Sequence, residues 1–387
     1  MSPQCLSSRL VREIAFGVLF LALTAAAAHG QEPIDVWTSG EGGYDTYRIP
    51  SLIKTKSGAL LAICEGRKTG RGDSGNIDLL MRRSTDGGQT WSPTQVIWDD
   101  KENTCGNPCP VVDQETGTIL LLSTHNLGID REKEIIALTS KGTRTVWLLK
   151  STDDGLSWSK PQEITQTAKK PDWTWYATGP GIGIQIQHGP HKGRLVIPCD
   201  HIEADTKDYY SHVIYSDDRG ETWQLGGSTP EDQVNECEVV ELADPPGRLM
   251  LNMRNYDRDN RTRQTAVSDD GGLTWQGQKH DPVLIEPICQ ASIRRLRWPT
   301  DARPGAILFS NPASQEGREK MTVRVSFDDA KTWSHSALVN EGFSAYSCLE
   351  RLDDTAAGLL YEGAVGDKTY GRITFLRLGL DWLTDSK

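Results

Sequence analysis

The chain has no excess of positive charge. Its 42 Lys and Arg stand against 53 Asp and Glu, a formal net charge of −11 over 387 residues. Neutralising a phosphate backbone needs the opposite sign, which excludes general nucleic-acid binding as the main activity. Cysteine is sparse, with eight residues scattered along the chain, so no disulfide scaffold is encoded. Only Cys105 and Cys109 lie close enough in sequence to suggest a bridge. Cys64, Cys199 and Cys348 fall within apolar runs, where a free thiol behaves as a small core residue. There is no HExxH and no pair of CxxC motifs, so neither a metal nor another cofactor is indicated.

A membrane-length apolar run is also missing. The longest, Ile14 to Ala28, covers about 15 residues, short of the roughly 20 that a spanning helix needs, so stable membrane insertion is not expected. Arg9 and Arg12 precede this run, and Ala28 and Gly30 supply small residues at the −3 and −1 positions of a cut before Gln31. Residues 1–30 therefore read as a secretory signal peptide, an uncleaved anchor being the alternative. The expected mature chain, 31–387, is one secreted or periplasmic domain with 40 positive and 52 negative side chains. At 37% hydrophobic and 25% charged residues, it is neither a disordered tail nor a coiled coil.

What the chain does contain is repetition. The pattern Ser-x-Asp-x-Gly-x-Thr/Ser-Trp occurs at Ser84–Trp91, Ser151–Trp158, Ser216–Trp223 and Ser268–Trp275, and a fifth copy, Ser326–Trp333, carries Ala330 in place of Gly. The mean spacing, near 60 residues, lies in the range of blade-forming β repeats. A second pattern, Gly followed by an apolar strand, begins at Gly58, Gly117, Gly193, Gly247, Gly305 and Gly358, and each of the first five precedes one box. The two patterns together predict an all-β fold, a six-bladed β-propeller with five Asp-box hairpins and four short antiparallel strands per blade. The sixth unit lacks a box, and a strand near Ile34–Thr38 is expected to complete it. The boxes read as structural turns, their carboxylates capping backbone N–H groups and their Trp packing between sheets. A calcium loop is the rival reading, but the alternating oxygen ligands and the bidentate Glu are missing.

Alignment of the units on their Gly places Arg48, Glu236 and Tyr346 on first strands, which line a propeller axis. Arg67, Arg254 and Glu362 fall on second strands and rise towards the same end; Arg324 lies on a third. Any one of these charges on an apolar strand is explained by structural ion pairing across blades. The convergence of the set points instead to a site for an anion.

In order, Tyr47-Arg48-Ile49-Pro50, Glu65-Gly66-Arg67, Asp73 followed by Asp78 and Arg82-Arg83-Ser84, Asn235-Glu236, Leu251-Asn252-Met253-Arg254-Asn255, Ser310-Asn311-Pro312-Ala313-Ser314, Arg324 and Tyr346-Ser347 resemble the bacterial exo-α-sialidases. The likeness covers nearly all of 34–384. It implies hydrolysis of terminal sialic acid from glycoproteins, glycolipids or oligosaccharides without a cofactor. Sialic acid carries its carboxylate on the anomeric carbon, which calls for clustered guanidiniums. By this resemblance Arg48, Arg254 and Arg324 grip that carboxylate, Glu362 orients Arg48, Arg67 meets the sugar near its 4-hydroxyl, and Asn311 is a further substrate contact. A carboxylate nucleophile would be repelled, and sialidases with a tyrosine nucleophile are an exception to the two-carboxylate rule. The resemblance makes Tyr346 the nucleophile, Glu236 its base and Asp73 the acid that protonates the leaving oxygen. From the residues alone, Asp73 in Arg71-Gly72-Asp73-Ser74-Gly75 is equally a turn residue.

Several features stay open. Some relatives carry Asp where this chain has Asn107. The connection from Asn126 to Arg144 either flanks the funnel or is a solvated loop. Trp173, Trp175 and Tyr176 either stack on sugar or pack between sheets. The eight His residues form no evident catalytic pairing. Transfer to another sugar, hydrolysis of a deaminated analogue, and a non-catalytic propeller that binds glycans or proteins are the competing functions. A base beside a phenol separates the enzymes from the binding module. The negative overall charge does not oppose an anionic substrate, because surface carboxylates beyond roughly 8–10 Å are screened.

Overall fold

The computed structural model describes residues 32–385, and the expected signal peptide lies outside them. The fold is all-β: among the described residues the three helices span only four to six residues each. Strand formation follows from short apolar runs bounded by Gly-containing turns. Leu60–Arg67, buried along its whole length, is flanked by Gly58 at φ +98°.

Antiparallel meanders follow one another along the chain. The first comprises Thr46–Lys54, Leu60–Arg67, Ile77–Ser84 and Gln95–Trp98. The second comprises Thr104–Val112, Ile119–Asn126, Thr145–Ser151 and Gln162–Glu163, joined to the first by a single parallel bridge, Ile77 to Thr104. Trp173–Thr178, Leu195–Glu203, Tyr209–Ser216 and Gln224–Ser228 form the third, and Val234–Glu241, Leu249–Asn255, Thr262–Ser268 and Gln276–Ile285 the fourth. The fifth runs from Ser292–Arg297 through Ala306–Pro312 and Glu319–Ser326 into the first half of the long strand His335–Arg351. The second half of that strand opens the last meander, with Ala356–Val365 and Lys368–Gly379. Ile34–Thr38 pairs antiparallel with Lys368–Gly379, so the two ends of the described chain share one sheet, as expected.

The boxes are hairpins closed by their own side chains. In the first, Ser84 Oγ donates to Asp86 Oδ1 at 2.8 Å and accepts the Gly88 N–H at 2.9 Å, while Asp86 accepts the Thr90 N–H at 3.0 Å. A Cβ at Gly88 would overlap the Phe375 ring. The fifth box keeps the same bonds, Ala330 N to Ser326 Oγ at 2.9 Å, with Ala330 held at φ +60°. Replacement of Gly therefore strains this turn without reshaping it. Cys105 and Cys109 are both free and buried. They pack into two different core clusters, which corrects the pairing their spacing suggests.

Candidate active site

The inner strand of each meander has two ends, and the chemistry collects at one of them. Arg48, Asn107, Glu236 and Tyr346 lie towards the beginnings of their strands, and with Arg67, Asp73 and Arg254 they line a cleft of about 150 Å³. A larger cleft of about 310 Å³ lies at the other ends, around Lys54, Val112, Glu241 and Glu350. Its carboxylates are occupied: Glu350 pairs with Arg294 at 2.9 Å, and Glu241 accepts the N–H groups of Gln187 and His188. No phenol lines it, and the smaller cleft is the one with reactive groups facing each other.

At the centre of that cleft the Tyr346 hydroxyl donates to Glu236 Oε1 at 2.6 Å. Arg254 Nη1 donates to Glu236 Oε2 at 2.6 Å and to the Tyr346 oxygen at 3.1 Å. Burial, and then the Glu236 charge, push the Tyr346 phenol well above its usual range, with Arg254 and Arg318 opposing. The phenol is therefore protonated at neutral pH, with an acceptor already in place for its proton.

Glu362, fully buried behind the cleft, ties the flanking strands together. It accepts Arg48 Nε at 2.8 Å, the Ile49 N–H at 2.8 Å and the Tyr346 N–H at 3.1 Å. The Arg48 guanidinium lies 5.1 Å from the Tyr346 ring centroid. Across the mouth, Asp73 accepts from Arg67 Nη1 at 2.7 Å and lies 3.8 Å from Arg48 Nη1. Its side chain is 62% exposed, whereas Arg67 is buried against Glu65. Burial raises the Asp73 carboxyl, but Arg67 and then Arg48 outweigh it and hold the group below the usual carboxylate range.

Two expected substrate contacts lie elsewhere. Arg324 does not line the cleft; its Nη1 donates to Asn311 Oδ1 at 3.3 Å, and burial lowers its guanidinium, with Asp281 opposing. Asn311 is fully buried, and its amide donates to the Ile285 and Pro312 carbonyls. The arginine that takes the place expected for Arg324 is Arg318, 5.5 Å from the Tyr346 ring centroid. The physical reason is strand direction. A third strand begins at the cleft end and runs away from it towards its box, so Arg324, six residues further on, lies away from the cleft. Asp73 likewise lies on the connection that enters a third strand, and that shared placement was the available signal for Arg318.

The far wall of the cleft holds groups the sequence left undecided or did not single out. The 126–144 connection contributes Glu132, from the short helix Glu132–Ile136, and Arg144, so it flanks the cleft. Arg144 donates to the side chains of Asn107 and Thr124 and stacks 3.9 Å from the Trp175 ring centroid. Trp175 thus faces the cleft, whereas Trp173 and Tyr176 are buried in the third meander. Asp200 lines the same wall with an unpartnered Oδ2, and burial followed by Glu236 holds it well above the carboxylate range. His201 points the other way and meets His212, Nδ1 to Nδ1 at 3.0 Å.

A family model, the BNR repeat-like domain, matches residues 58–359 of this chain. The chain is 36% identical to a sialidase of Micromonospora viridifaciens over 92% of its length, and 33% identical to a sialidase of Bacteroides fragilis over 87%. The chain belongs to the sialidase family with BNR repeats. It spans 55% and 63% of those two relatives' own lengths. Among solved structures, the Hadza microbial sialidase Hz136 superposes with a TM-score of 0.80 at 32% identity, covering 91% of this chain and 69% of that one.

Proposed function

We propose that this chain is a secreted, retaining exo-α-sialidase built on a closed six-bladed propeller. The observation that carries the proposal is the Tyr346–Glu236–Arg254 triangle beneath Arg48 and Arg318. Closure is supported by the order in which strands of successive meanders touch: Thr46–Lys54 meets Thr104–Val112, which meets Trp173–Thr178 and Leu195–Glu203; Leu195–Glu203 meets Val234–Glu241, which meets Ser292–Arg297, which meets His335–Arg351, which returns to Thr46–Lys54. Export rests on the sequence of residues 1–30, and Edman sequencing of secreted protein beginning at Gln31 is the expected outcome.

In this reading the anomeric carboxylate of a terminal sialic acid lies among Arg48, Arg254 and Arg318, as an anion best held by planar, bidentate donors. Tyr346 attacks the anomeric carbon while Glu236 takes the phenolic proton. Asp73 gives its proton to the glycosidic oxygen, the aglycone leaves, and a sialyl–tyrosine bond has replaced the glycosidic one. Water then attacks the same carbon, Asp73 removing its proton and Glu236 returning one to the tyrosyl oxygen, so two inversions give retention. On its own, Asp73 is held below the usual carboxylate range by Arg67 and Arg48 against the effect of burial. A substrate carboxylate that shares Arg48, together with an aglycone that displaces water, moves its proton affinity upward as the acid role requires.

Turnover of a fluorogenic sialoside by the purified chain, with α-sialic acid as the first product in proton NMR, tests the reading. Tyr346→Phe is expected to lose several orders of magnitude in kcat while still binding an unsaturated sialic acid analogue. A folded wild-type chain that binds the analogue without turnover would identify a binding module instead.

A further inference from the structure

We propose that Tyr370 is a positioning residue that fixes two of the cleft's arginines while leaving the charge of Arg318 uncompensated for an incoming anion. This rests on the sialidase reading of the cleft and deepens it. Tyr370 belongs to the strand Lys368–Gly379 in the last meander, outside the cleft lining. The Arg48 guanidinium lies over its ring, 4.3 Å from the centroid, and its hydroxyl accepts from Arg318 Nη1 at 2.8 Å. One side chain thus holds both guanidiniums that flank the Tyr346 ring.

Tyr370 is itself constrained. Phe343 packs edge-on against its ring at 4.8 Å, and its carbonyl accepts from Ser39 Oγ at 2.7 Å. Its φ is +54°, unusual for an aromatic residue and sustained only where the surroundings over-determine it.

The three arginines differ in what neutralises them. Arg48 is paired with Glu362 and Arg254 with Glu236. Arg318 forms no ion pair among the described residues, and its side-chain hydrogen bond goes to the neutral Tyr370 hydroxyl. A ring face and a phenolic oxygen orient a guanidinium without cancelling its charge. A carboxylate at that position would pair with Arg318 and remove the attraction meant for the ligand.

The test compares Tyr370→Phe, Tyr370→Gln and Tyr370→Glu with the wild-type chain, using the dissociation constant of an unsaturated sialic acid analogue and the kcat and KM of a fluorogenic sialoside. Tyr370→Phe keeps the ring under Arg48 and loses the acceptor for Arg318, so the analogue is expected to bind a few-fold more weakly, the rise appearing in KM rather than kcat. Glutamine and glutamate match in shape and differ in charge, so Tyr370→Glu is expected to bind at least about tenfold more weakly than Tyr370→Gln. Equal affinities for the Gln and Glu variants, both folded, or an unchanged KM in Tyr370→Phe, would overturn the proposal. A wild-type chain that neither binds the analogue nor turns over the sialoside would instead sink the sialidase reading on which it depends.

Discussion

Arg318 stands just before the strand Glu319–Ser326 and Arg324 well along it, and only Arg318 faces Tyr346. Arg318→Ala is expected to weaken binding of an unsaturated sialic acid analogue by about 2–5 kcal/mol, the cost of losing one member of a desolvated charge pair. Arg324→Ala is expected to leave that affinity unchanged; calorimetric titration of both variants checks the pair. Asp73 gives a pH prediction with a definite sign. Arg67 is the strongest charge holding this carboxyl low, and an acid must be protonated to act. Arg67→Met therefore raises the Asp73 pKa and moves the descending, high-pH limb of kcat/KM upward. Glu65, left without its partner, pushes the same way. Sialyllactose is the substrate for this profile because its sugar alcohol leaves only with a proton. A limb that stays fixed or moves down would remove Asp73 from the acid role. Residues on first and second strands were legible before the structure because the repeated Gly fixes their position along the strand. Asp200 carried the same signal, seven residues after Gly193 as Arg254 is seven after Gly247, whereas Glu132 and Arg144 did not, since charges in a long connection look the same whether or not the fold turns them to a cleft.

At the scale of the element, the Asp box tolerates substitution to the extent that its hydrogen bonds survive. The fifth hairpin retains them with two consecutive non-glycine residues in the left-handed region, Asp329 at φ +62° and Ala330 at φ +60°. A side chain in that region costs about 1 kcal/mol that glycine avoids. Ala330→Gly is accordingly expected to stabilise the protein by about 1 kcal/mol with no change in activity, read from the urea midpoint. The same substitution pattern run backwards is not equivalent, because Gly88 has the Phe375 ring where a Cβ would go. The boxes themselves were fully visible as a spaced pattern. What the pattern did not reveal is which end of each strand it marks: counting back from a box finds residues near the hairpin, while the reactive groups sit at the opposite end, and this is how Arg324 stood in for Arg318.

Across the whole molecule, the ends of the described chain are held together by one short strand. Ile34–Thr38 supplies Val36 and Trp37, both buried, to the first core cluster, and Thr374 Oγ1 donates to Asp35 at 2.7 Å. Trp37 stacks on Tyr47 with centroids 6.0 Å apart, and its indole N–H donates to Thr94 Oγ1 at 3.1 Å. It thereby links the last meander to the first. In an open stack, loosening one junction would release a terminal meander alone. In a ring, every meander is braced on both sides, so the junction weakens the assembly as a unit. Trp37→Ala is expected to cost about 3–5 kcal/mol. If the ring is closed, circular dichroism and tryptophan fluorescence should report one coincident transition moved to lower urea. Separate transitions, with the last meander melting first and the rest at the wild-type midpoint, would mean that the sheets form an open array and that Arg48 and Glu362 are joined across an end rather than a seam.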